Sequence, residues 1–177
     1  GSKPSASSAR SSPGANTGVS NATPKPGGHL TWATSSDIDG FDPTANHWDQ
    51  TGYAYARTVF DPLAIRDTQG RLVPYLARSI DHNADYTQWT VALRPNVVYH
   101  DGSPLNAAGV AEFLTKAAQS PLLAAAATPL AGVSTSDPMT VVIKLKSSWP
   151  AFGYYLSDGQ FAYPPSPASL TNPDRAR

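Results

Sequence analysis

An α/β fold, with helices set among mixed (α+β) sheets, is what this sequence predicts, and three observations predict it. Trp89, Val91 and Leu93 alternate with smaller or more polar neighbours at the period of two that half-buries a strand. Met139 to Lys146 contains the β-branched run Val141-Val-Ile143, which suits a pleated surface. Between them, Val110, Phe113 and Leu114 recur at helical spacing. With 177 residues and 18.7 kDa there is room for one domain. A folded stretch of about 150 residues buries roughly 70% of its unfolded surface, so a substantial core is expected.

Residues 1 to 27 are mostly Ser, Ala, Pro, Gly and Thr, with Val19 the one large aliphatic side chain. Such a stretch cannot offset the entropy of ordering and reads as a disordered linker. Gly1-Ser2 opens no signal peptide, since neither a basic start nor an apolar core follows, so the chain is expected to be mature, trimmed or cytosolic. The folded part is expected over 28–177. His29 to Thr34 alternates as a half-buried strand, and Ser35 to Gly40 is a polar loop leading to Asp42-Pro43.

Between Thr51 and Leu63 the spacing of Tyr55, Val59, Phe60 and Leu63 predicts a helix with those residues on its buried face, ended or bent by Pro62. Leu63 to Arg66 and Arg71 to Pro74 flank the turn residues Asp67-Thr-Gln-Gly70, which predicts a hairpin. A second pair, Arg78 to His82 and Gln88 to Arg94, crosses Asn83-Ala-Asp-Tyr86, with Trp89, Val91 and Leu93 facing the core. A helix comes next over 106–116, introduced by Ser103-Pro104 and stopped by Pro121; Gly109 weakens it by about 1 kcal/mol relative to Ala. A turn at Ser136-Asp-Pro138 precedes the strand at 139–146. The aromatic-rich stretch Trp149 to Leu156 reads as a short helix or turn, and Ala168 to Leu170 as a helix start that Asn172-Pro173 breaks.

Thirteen basic and thirteen acidic side chains cancel, so no global field draws in nucleic acid. Without cysteine there is no disulfide, thiolate metal site or cysteine nucleophile. No apolar run approaches the roughly 20 residues of a spanning helix. Seventeen aromatic residues (eight Tyr, five Phe, four Trp) lack interleaved cations, which favours packing over nucleic-acid stacking.

His100-Asp101 is the arrangement that orients a general base, but no Gly-x-Ser-x-Gly elbow accompanies it. Turn chemistry gives the other reading, in which Asp101 bonds local N–H groups and Gly102 supplies a permissive backbone. No catalytic residue is therefore assigned; a small hydrolase using His100 and Asp101 is the alternative. No metal ligand is assigned either: His29, His47, His82 and His100 include no i, i+4 pair. Asp37, Asp39 and Asp42 fail as a calcium loop because Trp48 stands at the twelfth position. His47, beside Trp48 and Asp49 in a loop, is kept as a remote ligand. The loop Thr34-Ser-Ser-Asp37 leaves a strand end, where α/β binding proteins present polar groups.

Several stretches carry a resemblance. Gly27-Gly-His-Leu30, Phe41-Asp-Pro43, Phe60-Asp-Pro-Leu63, Pro74-Tyr-Leu-Ala77 and Leu93-Arg-Pro-Asn-Val-Val-Tyr-His-Asp-Gly-Ser-Pro104 occur in the order found in family 5 extracytoplasmic solute-binding proteins, the dipeptide, oligopeptide and nickel-binding group that feeds ABC importers. The chain resembles the amino-terminal part of that family, from residue 27 to about 170. It departs at Ala108-Gly109, where an acidic residue is usual, and in length.

The resemblance implies the amino-terminal portion of a periplasmic-binding-protein-like type II fold, with a first-lobe strand at about 28–43 and an accessory α/β subdomain at about 44–170. It implies a non-enzymatic function, capture of an oligopeptide or dipeptide ligand outside the membrane and delivery to ABC permease subunits, with no cofactor and no nucleic acid. An extracytoplasmic location is implied, with the membrane reached only through a lipid anchor ahead of the linker. It also implies ligand-lining roles for Thr34, Ser35, Ser36 and Asp37, and for Leu122, which stands near a position that is aromatic in oligopeptide binders. A truncated surface or interaction protein without transport activity is the remaining alternative.

Overall fold

The computed structural model describes residue 23 and residues 26–172. The chain divides into two units, Gly1–Ala33 and Thr34–Arg177. Most of the linker expected over 1–27 lies outside the described residues. In the first unit, residues 26–33 form neither helix nor strand, and Leu30 and Trp32 are 87% and 55% exposed. The strand expected at His29 to Thr34 is thus not formed. Among the described residues no strand pairs with it, and period-two alternation marks a face that could be half-buried without supplying a neighbouring strand.

The second unit is built on two antiparallel sheets. The small one is a hairpin of β1 (Ala64–Arg66) and β2 (Leu72–Pro74), with Ile65 opposite Val73. Its turn is tied by the Asp67 carboxylate, which accepts from the Gln69 and Arg71 amides at 2.8 and 2.9 Å. The larger sheet has the order β3-β4-β6-β5, with β3 (Ala77–His82), β4 (Gln88–Leu93), β5 (Leu130–Asp137) and β6 (Thr140–Leu145). Both hairpins and the alternation of β4 agree with the sequence, for Trp89, Val91 and Leu93 are all buried.

β5 is an addition. Where a turn alone was expected before Met139, the chain runs eight residues as an edge strand with almost no buried side chain. Leu-Ala-Gly-Val-Ser-Thr-Ser-Asp carries no alternation to announce it; it is held by its ladder to β6.

Helix α2 (Ala107–Gln119) covers one face of the sheet with Val110, Phe113, Leu114 and Ala117, as its spacing predicts. Its cap is Asn106, whose side-chain oxygen accepts from the Gly109 amide at 2.9 Å. Gly109 has a packing reason: a Cβ there would lie 3.0 Å from Pro167 Cγ, on the short helix α5 (Pro167–Thr171). The remaining helical pieces are α3 (Ala124–Ala127) and α4 (Tyr155–Asp158), the latter flanked by 3-10 turns at Phe152–Tyr154 and Gln160–Ala162.

Helix α1 (Gln50–Val59) forms where expected but turns a different face inward. Its buried residues are Thr51, Gly52 and Ala56; Val59 is exposed, and Phe60 and Leu63 lie beyond its end. Small residues face the core because Trp48 occupies that space: a Cβ on Gly52 would come within 2.9 Å of Trp48 Cβ. Trp48, Ala56, Ala162 and Tyr163 form a second cluster there, beside the main core of β4, β6 and α2.

Candidate functional site

The polar loop and the start of α1 form one hydrogen-bonded assembly. Asp49 caps the helix, its Oδ1 accepting from the Gly52 amide at 2.9 Å. Its other oxygen accepts from Ser36 Oγ at 2.7 Å. Ser35 Oγ lies 3.2 Å from Thr51 Oγ1, and Thr34 Oγ1 donates to the Ser36 carbonyl at 3.0 Å and approaches Tyr55 Oη at 3.4 Å. Asp37 is exposed, with Oδ1 accepting from the Ile38 amide at 2.9 Å. The structure therefore brings Thr34, Ser35 and Ser36 together on the first two turns of α1.

Beneath them the segment Gly40 to Trp48 is rigid for identifiable reasons. Asp42 Oδ1 accepts from both the amide and the hydroxyl of Thr44 at 2.7 Å. Asn46 closes the loop, accepting from the Asp42 amide and donating to the Asp39 carbonyl. The indole of Trp48 donates to the Gly40 carbonyl at 3.1 Å. From the far end of the chain, Gln160 Nε2 donates to the carbonyls of Pro43 and Asn46 at 2.8 and 3.0 Å. His47, kept from the sequence as a remote ligand, is exposed, and its amide donates to Asp39. Among the described residues no group of three or more His, Asp or Glu is placed to hold a metal.

The Asp49 carboxyl is held below the usual carboxylate range, first by the Gly52 amide and then by the Ser36 hydroxyl. It also meets the positive end of the α1 dipole. A carboxylate so stabilised is a poor base, and its contacts tie the loop to the helix cap.

Leu122 is not part of this assembly. It sits 39% exposed in the α2–α3 connection, where its amide donates to Ser120 Oγ at 3.2 Å. Its neighbour Leu123 is the buried one, lining a cavity of about 510 Å³ with Tyr53, Trp149, Tyr155 and Phe161. Asp49, Thr51 and Tyr55, which hold the loop, were not assigned to the site from sequence, where Tyr55 was read only as part of a buried helix face; the signal for Asp49 was present, as an Asp directly before a helix.

His100 and Asp101 occupy a turn. Asp101 Oδ1 accepts from the amide and hydroxyl of Ser103 at 2.9 and 2.6 Å, and Gly102 has φ +83°. That is the turn reading of the sequence. Ser166, which lines the same cavity as His100, caps α5, its oxygen accepting from the Ser169 amide at 3.3 Å.

The sequence profile described as bacterial extracellular solute-binding proteins, family 5 middle, matches residues 71–176. The chain belongs to this family. It is 37% identical over 54 residues to a nickel-binding periplasmic protein of Escherichia coli, covering 30% of this chain and 10% of that protein. It is 35% identical over 85 residues to the glutathione-binding protein GsiB of Pectobacterium atrosepticum, covering 48% and 16%. The fold matches the substrate-binding domain of an oligopeptide ABC transporter from Bacillus anthracis with a TM-score of 0.67, at 17% identity over 75% of this chain and 29% of that one. The chain thus spans between a tenth and a third of these proteins. The relatives are solute-binding proteins, and their extracellular or periplasmic character supports an extracytoplasmic location.

Proposed function

We propose that this chain is the amino-terminal part of the substrate-binding component of an ABC importer. It captures peptides outside the membrane and delivers them to permease subunits, without catalysis of its own. The observation that carries this reading is the family match over 71–176, together with the agreement in fold with an oligopeptide transporter's binding domain. The oligopeptide and glutathione relatives support a peptide, while the nickel relative keeps a metal chelate as the competing cargo.

The loop Thr34 to Asp37 is the part of the ligand cleft that this segment contributes. Thr34 and Ser36 spend their hydroxyl protons within the assembly, but the hydroxyl oxygens and the Asp37 carboxylate still accept, which suits the amide N–H groups and amino terminus of an extended peptide. Leu122 adds an exposed apolar surface on a separate element. A lipid anchor ahead of the residue 1–27 linker would hold the protein at the envelope.

Calorimetry on the full-length gene product tests the reading. Saturable binding of di- to pentapeptides, and none of a nickel–histidine chelate, is expected. Binding of the chelate alone would overturn the peptide assignment, and binding of neither would overturn the receptor assignment.

A further inference from the structure

The cavity of about 510 Å³ beside Leu123 is walled by rings, for Tyr53, Trp149, Tyr154, Tyr155 and Phe161 all line it. They meet one another edge-on or tilted, Trp149 with Tyr155 at 4.7 Å and 67°, Tyr155 with Phe161 at 6.4 Å and 52°. Walls of this kind present ring faces and ring edges together, which is the surface a further ring packs on best. Small residues leave the space open: Ala126, Ala151 and Gly159 stand on the wall, where longer side chains would take up the volume.

The ion pair on the wall is self-contained. Arg66 and Asp158 both line the cavity, and Arg66 donates from Nε and from a terminal nitrogen to the same oxygen of Asp158. The guanidinium also lies over the Tyr154 ring, 4.3 Å from its centroid. The protein's own cation thus holds that face of the ring, and a ligand cation brought there meets a like charge. An uncharged ring displaces neither group.

Helix α1 joins this cavity to the polar loop. Thr51 and Tyr55 meet Ser35 and Thr34, and Tyr53, between them in sequence, lines the cavity. A helix with its side chains is about 10 Å across, a distance that about three residues of extended chain span.

We propose that this cavity takes an aromatic side chain of the captured peptide, its ring against Trp149, Tyr154 and Tyr155, while the peptide backbone runs over α1 toward the loop Thr34 to Asp37. On the peptide reading above, on which this site rests, the cavity selects a side-chain class. Aliphatic side chains gain the apolar walls without the ring contacts, and a lysine side chain faces Arg66.

The test is calorimetry on the full-length gene product with Ala-Phe-Ala, Ala-Leu-Ala and Ala-Lys-Ala. Ala-Phe-Ala should bind about threefold to tenfold more tightly than Ala-Leu-Ala, the margin that ring packing adds to plain burial. Ala-Lys-Ala should bind most weakly. Tyr154→Leu, at a position 36% exposed, keeps apolar volume and removes one ring. It should lower the Phe-over-Leu ratio about threefold and leave the Ala-Leu-Ala affinity nearly in place, whereas a merely structural effect would weaken both peptides alike. Ala151→Leu, also at an exposed position, should obstruct the ring and weaken Ala-Phe-Ala about tenfold. Equal binding of Ala-Phe-Ala and Ala-Leu-Ala, tightest binding of Ala-Lys-Ala, or a Phe-over-Leu ratio that survives both substitutions would overturn the aromatic site and leave the receptor reading standing. Binding of none of the three peptides would overturn both.

Discussion

Ser36 Oγ donates to Asp49 Oδ2 at 2.7 Å, joining the polar loop to the cap of α1. The carboxyl is depressed by the Gly52 amide and by this hydroxyl. A depressed carboxyl contributes stability that is present above its unfolded value near 3.9 and lost as pH falls through the folded value. The loop should therefore loosen from α1 only in acid, below about pH 4. Ser36→Ala should raise the Asp49 titration midpoint, read by side-chain carboxyl shifts, and speed amide exchange at 34–37. An unchanged midpoint would mean that Gly52 alone sets it.

Gln160 reaches back across the fold to the carbonyls of Pro43 and Asn46. Replacing it by Ala leaves two acceptors to find water in a buried place, at a cost of about 1–3 kcal/mol. Thermal denaturation should show that loss. Hydrogen exchange should place the loosening in residues 40–48, with the β3-β4-β6-β5 sheet still protected.

Gly153 sits where a Cβ would lie 2.8 Å from Leu72 Cδ2 and 3.0 Å from Trp89 Cζ3. Gly153→Ala should destabilise by about 1–3 kcal/mol, as overpacking does. The same change at Gly132, where a Cβ would meet nothing within 4 Å, should leave the denaturation midpoint nearly in place.

Tyr99 has a buried, unpartnered hydroxyl, and burial, then the Asp101 charge, push its titration upward. A raised phenol contributes stability that is full below the ordinary value near 10 and falls away as pH rises above it. Tyr99→Phe should hold or increase stability at neutral pH by up to about 1–3 kcal/mol. It should also flatten the decline in stability above about pH 10, measured by urea unfolding across pH.

Elements with a repeating pattern of large side chains were legible in the sequence. β4 and α2 could be read because Trp89, Val91 and Leu93, or Val110, Phe113 and Leu114, stand at a regular period on a buried face. α1 was legible in position but not in orientation, because its buried positions include Gly52 and Ala56, whose smallness makes room for Trp48. β5 was invisible because its half-buried residues, Leu130 and Val133, stand three apart and give no period-two alternation. His29 to Thr34 had the alternation, but among the described residues no strand pairs with it. In the site, Thr34, Ser35 and Ser36 stood out as a polar loop. Their joining to Asp49, Thr51 and Tyr55 depends on how the loop lies across a helix, which no local pattern encodes.

The order β3-β4-β6-β5 has a kinetic consequence. β3 with β4 and β5 with β6 are each local hairpins, whereas the β4–β6 ladder, with Trp89 opposite Ile143, joins positions separated by the whole stretch from 94 to 139. Hairpins close in about 1–10 μs, and closing the long intervening loop carries the larger entropic cost. The expected rate-limiting step of folding is then the meeting of two preformed hairpins, with α2 condensing onto the seam as they join. Substitutions at Val91 or Val141 should slow folding, while those in the β1–β2 hairpin should chiefly speed unfolding.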